Sequence, residues 1–382
     1  LEPKPILMIP GPTPCPDRVL RALSQPMINH RGPEYMALQR ELVSGLKTLF
    51  QTANDVQIFP ASGTGGLEAA IVNVLSPGDR VLAVPTGSFG ARFAEIAQVY
   101  GADVRRLEVE WGQAADPQAI AQALSEEPDV KALLLTHNET STGVLHDIQA
   151  TARAARQVKP DVLILVDSIS GMLAADIRPD EWDLDVVVAG SQKAWMIPPG
   201  LTFLSISPRA WAANKTAKMP RFYFDFGRMK KSMETDQTPY TPALPQLFGL
   251  QVALRHILEE GLEHSFRRHA RMAAATRAAV QALGLELFAA EGHYSNSLTA
   301  VRVPQGATAK ELRGRMREKH GVVIAGGQGP IKDQIFRLGH LGYVDDNDVI
   351  AMIGALELTL RELGFHVQPG QGVAAAQTVF AG

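Results

Sequence analysis

The sequence is short of several things, and each shortage excludes something. One cysteine, Cys15, stands among 382 residues. That rules out an intrachain disulfide and any site built from several thiolates. No run of about 18 apolar residues occurs, so no segment reads as a membrane-spanning helix. Neither sign of charge dominates: 37 Lys and Arg face 40 Asp and Glu, a net charge of −3. This balance argues against a general nucleic-acid binder and against attachment to anionic lipid. The opening residues are polar and proline-rich, without the basic-then-apolar order of a secretion signal, so a cytoplasmic protein is expected. There is no Walker-type phosphate loop, no G-x-S-x-G and no H-E-x-x-H, and no metal site is expected. Gly63-Thr-Gly65-Gly66 does not complete a dinucleotide fingerprint, because its last glycine position is Glu68.

What is present is ordinary for a globular chain: 46% apolar and 20% charged residues. The length suggests two or three domains. Residues 1–16 read as an extended arm. From residue 17 to 190, apolar runs (56–59, 81–84, 104–107, 132–136, 162–166, 186–189) alternate with amphipathic stretches (66–75, 91–100, 117–125, 148–157). This rhythm predicts a mainly parallel sheet covered on both faces, with 201–206 as a further strand. Residues 208–245, rich in Arg, Lys, aromatics and Pro, break the rhythm as a long loop, a feature that is usually functional or an interface. Helical pattern returns over 246–260 and 262–283. A smaller α+β unit then follows, with strands at 298–303, 322–325 and 335–338 and helices at 309–320 and 344–363. The expected division is an arm (1–16), a large domain (17–260), a small domain (261–367) and a frayed Gly/Ala/Gln-rich tail (368–382).

Three local signals carry chemistry. Phe59-Pro-Ala-Ser-Gly-Thr-Gly-Gly-Leu-Glu68 follows a strand and opens a helix, so its backbone amides form either an anion cradle or a plain helix-capping turn. Asp167 ends the buried strand Val162–Val166, where open α/β sheets place their sites, though aspartate also caps turns there. Lys193 follows the strand Val186–Ala189 and precedes Trp195, Met196 and Pro198-Pro-Gly200. Either it extends to solvent or burial lowers its pKa and makes it nucleophilic toward carbonyls. Together, a phosphate cradle, a carboxylate at a strand end and a buried lysine match the needs of pyridoxal phosphate (PLP).

The chain resembles the class V aminotransferases of PLP fold type I, in particular alanine–glyoxylate and serine–pyruvate aminotransferases. The resemblance rests on Pro10-Gly-Pro-Thr13, Ser62-Gly-Thr-Gly-Gly66, Thr136-His-Asn-Glu-Thr-Ser-Thr-Gly143, Val166-Asp-Ser168, Gly190-Ser-Gln-Lys193, Pro198-Pro-Gly200 and Ile335-Phe-Arg-Leu-Gly339. They occur in family order over residues 5–365. The resemblance implies an α/β fold with a seven-stranded-type, mainly parallel sheet and a smaller C-terminal domain. It also implies a Schiff base between PLP and Lys193, with Asp167 on the pyridine nitrogen. Thr64, Gly65, Gly66 and Gln192 would bind the phosphate. Phe89 would stack on the ring, where relatives use Trp; Ile169 would contact the cofactor and Thr140 its hydroxyl. Arg337 would clamp the substrate α-carboxylate, its planar fork suiting a bidentate contact. Gly11, His30 and Thr140 would border the substrate. A homodimer is implied as well, with Thr238 and Thr241 reaching the partner's cofactor phosphate; relatives often carry Tyr at the first of these positions, whereas here Tyr240 lies two residues on.

The implied reaction moves an amino group from alanine or serine to glyoxylate or pyruvate, with Lys193 as the proton carrier. An aspartate donor is the rival within the family and needs a second cation, for which Arg31, Arg221 and Arg228 are candidates. A cysteine desulfurase needs a reactive thiol late in the chain, and Cys15 is not one. A non-catalytic subunit on the same fold would have lost Lys193 or Arg337, and both are present.

Overall fold

The computed structural model describes residues 5–382, so the first four positions of the expected arm fall outside the described residues. Strand β1 (Ile6–Met8) is followed by helices α1 (Asp17–Ala22) and α2 (Pro33–Leu49). Alternation then begins with β2 (Asp55–Phe59), α3 (Gly63–Val74), β3 (Arg80–Ala83) and α4 (Ser88–Val99). It continues with β4 (Asp103–Arg106), α5 (Pro117–Glu126) and β5 (Val130–Thr136). A short ladder, β6 (Asn138–Glu139) and β7 (Val144–Leu145), precedes α6 (Ile148–Val158). Strands β8 (Leu163–Asp167), β9 (Val186–Gly190) and β10 (Thr202–Ile206) complete a seven-stranded sheet of order β2-β10-β9-β8-β5-β3-β4. Only β10 is antiparallel to its neighbours.

The sheet is buried on both sides because its central strands carry continuous apolar runs, over residues 132–135, 163–166 and 186–189. Leu133, Leu135, Ile164, Val166 and Val187 point to one cluster, while Leu134, Leu163, Leu165, Val186 and Val188 point to the other. Successive residues of a strand alternate faces, so continuous apolar runs need helices on both sides. All parallel strands therefore end on one edge, and that edge collects the loops after β2, β3, β5, β8 and β9.

After β10 come α7 (Pro208–Asn214), α8 (Phe226–Met233), α9 (Leu244–Glu260) and α10 (Leu262–Ala282). The rest is β11 (Leu298–Arg302), α11 (Ala309–His320), β12 (Val322–Gly326), β13 (Ile335–Gly339), α12 (Asp346–Glu362) and α13 (Gln371–Ala381). A second sheet has the order β1-β12-β13-β11 and its own apolar cluster, which includes Met8, Leu338 and Met352.

Three expectations need correction. The segment 208–245 is not one loop: α7 and α8 form within it, capped by the side chains of Ser207 and Asp225. The tail does not fray. Glu357 accepts the N–H groups of Gly370, Gly372 and Val373 at 2.9, 2.6 and 2.8 Å, so a buried carboxylate caps α13. The arm is more than extended chain, because β1 pairs in parallel with β12. No helix among the described residues is long and apolar enough to cross a membrane.

Candidate active site

Lys193 lies in the turn after β9. Trp195, fully buried, packs against Phe203 at 4.9 Å and Phe50 at 5.9 Å between ring centroids and fixes the turn from below. From above, the arm crosses it. The Lys193 Nζ donates to the Pro10 carbonyl at 2.8 Å, and Thr13 Oγ1 donates to the Lys193 carbonyl at 2.8 Å. The Thr13 N–H donates to the Gln192 carbonyl at 3.1 Å. A Cβ on Gly11 would lie 2.5 Å from Nζ, so only glycine lets the arm pass so close. Lys193 is 9% exposed. Burial lowers its amine to about 8, the Arg337 charge acts in the same direction, and Asp167 opposes.

Asp167 ends β8. Its Oδ1 accepts the Ile169 N–H at 2.9 Å, and no Lys or Arg among the described residues forms an ion pair with it. Burial therefore raises its carboxyl to about 7, against the pull of that N–H. Arg337, on β13, is the opposite case. It is 6% exposed, its Nε and Nη1 donate to the carbonyls of Gly326 and Thr140 at 2.7 Å each, and no carboxylate among the described residues pairs with it. Burial lowers it to about 10, with the Glu139 charge opposing.

Thr64, Phe89, Thr140, Asp167, Ile169, Gln192 and Lys193 line one cleft with about 480 Å³ of empty volume. Sequence reasoning missed six other lining residues: Ser62, Gly63, Leu67, Arg92, Asn138 and Ser170. The signal for Ser62 and Gly63 was available, because they sit at the start of α3, where N–H groups lack intrahelical acceptors. Gly65 and Gly66 stand differently from the expectation. Their N–H groups already donate to the Ser62 carbonyl at 2.9 and 3.3 Å, and neither lines the cleft.

Other expected residues lie elsewhere. Thr238 and Thr241 line a separate cavity with Tyr35 and Tyr240, not the Lys193 cleft of their own chain. His30 is half-buried and does not line the cleft either. The three candidate second cations are engaged away from it. Arg31 donates to Gln237 at 3.0 Å, Arg221 donates to the carbonyls of Val72, Ala217 and Met219, and Arg228 covers the Phe222 ring.

The residues present suit PLP. An unpaired buried carboxylate awaits a cation, a buried amine faces it, and the Gln192 Oε1 is buried without a partner. The start of α3 adds free N–H groups and partial positive charge.

Comparison with known proteins then decides the family. The family described as aminotransferase class-V matches residues 7–335. The chain belongs to it. This aminotransferase is 45% identical over 385 residues to a protein named soluble hydrogenase, small subunit, of Synechococcus sp., covering 100% of each chain. It is 40% identical to an L-aspartate–glyoxylate aminotransferase of Paracoccus denitrificans, covering 97% of this chain and 95% of the relative. Among solved structures, an alanine–glyoxylate aminotransferase from Nostoc sp. superposes with a TM-score of 0.90 at 30% identity, covering 94% of this chain and 96% of the other. PLP is the cofactor expected for this aminotransferase.

Proposed function

We propose that this aminotransferase moves the amino group of alanine or serine to glyoxylate or pyruvate, as a cytoplasmic homodimer. One observation carries the reading: two buried charges without partners, Asp167 and Arg337, flank the buried Lys193 amine. A buried charge without a partner is costly, and a cofactor and a substrate of opposite charge would relieve both.

PLP, when bound, withdraws electrons from the substrate Cα–H bond. Lys193 would hold it as a Schiff base and Asp167 would pair with its ring nitrogen. Phe89 and Ile169 would cover its two faces. Thr140 would meet the ring hydroxyl, and Ser62, Gly63, Thr64 and Gln192 the phosphate. Arg337 orients the α-carboxylate. The Lys193 amine would serve as the base that takes the proton from the substrate Cα and as the acid that returns it. Gly11 and the Pro10 carbonyl close the site above the amine. In this reading residues 17–260 hold the cofactor and residues 261–367 supply Arg337.

The donor follows from cations. A dicarboxylate donor needs a second guanidinium: Arg31, Arg221 and Arg228 are engaged elsewhere, while Arg92 lines the cleft but packs over the Phe89 ring. The Paracoccus relative's name keeps aspartate as the arm to test. The Synechococcus relative's name suggests a subunit role. A chain that had lost catalysis would not need the lysine, carboxylate and guanidinium retained around one cleft, and a single cysteine offers no thiolate set.

For the dimer, support comes from Thr238 and Thr241 lying beside exposed aromatic rings. Phe222 is 63% exposed, and Tyr240 stacks on it and on Tyr223. The deciding experiment is the visible spectrum of the PLP-loaded protein before and after alanine, serine or aspartate. Bleaching of the yellow band by alanine or serine is expected. A spectrum unmoved by all three sinks the reading, and bleaching by aspartate alone changes the donor.

A further inference from the structure

Glu139 is the one buried carboxylate beside the cleft that the proposed chemistry does not use. It is 0% exposed, and no Lys or Arg among the described residues forms an ion pair with it. Its neighbours are donors from the start of α4 and from Ser141, two residues on in its own segment. Oε2 accepts the N–H groups of Phe89 and Gly90 at 3.1 and 3.0 Å. Oε1 accepts the Ser141 N–H at 3.0 Å and the Ser141 hydroxyl at 2.6 Å. That hydroxyl in turn accepts the Ser88 N–H at 2.9 Å. Every contact of the carboxyl is an accepted bond, the arrangement of an ionised group.

The donors belong to the first turn of α4. That helix has Gly87 at its N-cap and no side-chain cap of its own. Glu139 supplies the missing acceptor from 50 residues away. The fit is tight: a Cβ on Gly87 would lie 2.5 Å from the Glu139 Cγ and Cδ and 2.3 Å from the Ser141 Oγ. On its other side the same residue fixes the chain that meets Arg337. The next carbonyl, Thr140, accepts the Arg337 Nη1 at 2.7 Å. The Gly143 N–H donates to the Glu139 carbonyl at 2.9 Å and closes the turn.

One residue therefore links the turn that carries Phe89, through its carboxylate, to the Thr140 carbonyl that holds the Arg337 guanidinium. We propose that Glu139 is a positioning residue that sets Phe89 against the cofactor and, through the Thr140 carbonyl, aims Arg337 at the substrate carboxylate. The assignment rests on the reading that Phe89 and Arg337 face cofactor and substrate. Charge supports it as well. Burial raises the Glu139 carboxyl overall, against the pull of the Ser141, Gly90 and Phe89 donors, and in its ionised form it favours the protonated guanidinium of Arg337.

The test is a pair of double-mutant cycles built on Glu139→Gln, which keeps the volume and turns one acceptor into a donor facing N–H groups. The first readout is PLP affinity of the apoprotein by absorbance titration. Glu139→Gln should weaken it about tenfold beside Phe89 and less than twofold in the Phe89→Ala background. The second readout is the KM for glyoxylate, raised about tenfold by Glu139→Gln and unchanged by it in the Arg337→Ala background. Asp345→Ala, which removes the cap of the remote helix α12, supplies the purely structural reference: lower Tm, unchanged affinities. If Glu139→Gln does not fold, Ser141→Ala removes one donor to the same carboxylate and should shift both readouts in the same direction by smaller factors. Equal effects in both backgrounds, or affinities like those of the wild type, overturn the proposal and leave the functional reading standing. A wild-type protein that takes up no PLP overturns both.

Discussion

At Lys193 the lowered basicity has a kinetic consequence. An amine near 8 is largely neutral at pH 9 and largely charged at pH 7. Capture of PLP by the apoprotein should therefore accelerate with pH, levelling off near 8 to 9 rather than near 10.5. Stopped-flow absorbance across pH 6 to 10 measures this, and a midpoint near 10 would show an amine in ordinary water. Asp167 gives a prediction of the opposite kind. Its pKa in the folded apoprotein is raised to about 7. The stability it contributes is complete below its unfolded value and is lost as pH rises through 7. At pH 8 Asp167→Asn should stabilise the apoprotein by up to about 4 kcal/mol, read from urea unfolding. It should also cut kcat roughly 100-fold or more, because the cofactor loses its counter-charge. Arg337→Ala should raise KM at least about 30-fold for every α-carboxylate substrate, since one side of a buried charge pair is removed. An increase confined to one donor would assign the clamp to another residue. Lys193, Asp167 and Arg337 could be singled out as candidates from sequence because Asp167 ends an apolar strand, Lys193 follows one, and Arg337 lies within the Ile335–Gly339 motif. Glu139 could not be, because its partners are backbone groups about 50 residues distant, and only folding brings them together.

Elements divide in the same way. The central strands of the large sheet, β5, β8 and β9, could be read because double burial writes them as largely apolar runs, whereas the edge strand β4 (Asp103–Arg106) carries two arginines and no buried residue. Helix α2 carried a readable signal that went unused: Tyr35, Leu38, Leu42, Leu46 and Leu49 lie on one buried stripe of helical period. Helix α13 could not be read as fixed. Its sequence is small and apolar, and what holds it is Glu357 on α12. Glu357→Gln should cost about 1–2 kcal/mol and loosen 371–381 first. Hydrogen exchange would show early labelling of that helix while β8 and β9 stay protected. Uniform loss of protection would mean that α13 unfolds only with the rest of the chain.

For the whole molecule, Thr238 and Thr241 are the residues whose place a single chain does not explain. They line a cavity beside Phe222, Tyr223 and Tyr240, and exposed aromatic clusters of this kind mark contact surfaces. If the proposed dimer uses this face, Phe222→Glu should weaken it at least about 30-fold, the cost of losing an aromatic anchor, and weaken PLP binding in parallel. Sedimentation at several concentrations checks the first effect. A variant that stays dimeric would move the interface elsewhere. One further consequence comes from the pairing of β1 with β12. Their partners are separated by roughly 300 residues, and the segment between β1 and α1 is what crosses Lys193. A chain emerging from the ribosome can assemble its large sheet, its glycine-rich turn and its lysine early. Its arm has no strand to join until Val322–Gly326 has been made. The arm that covers the lysine pocket is thus anchored only after β12 has been made, and fragments ending before β12 should keep the large sheet yet leave the amine open to water.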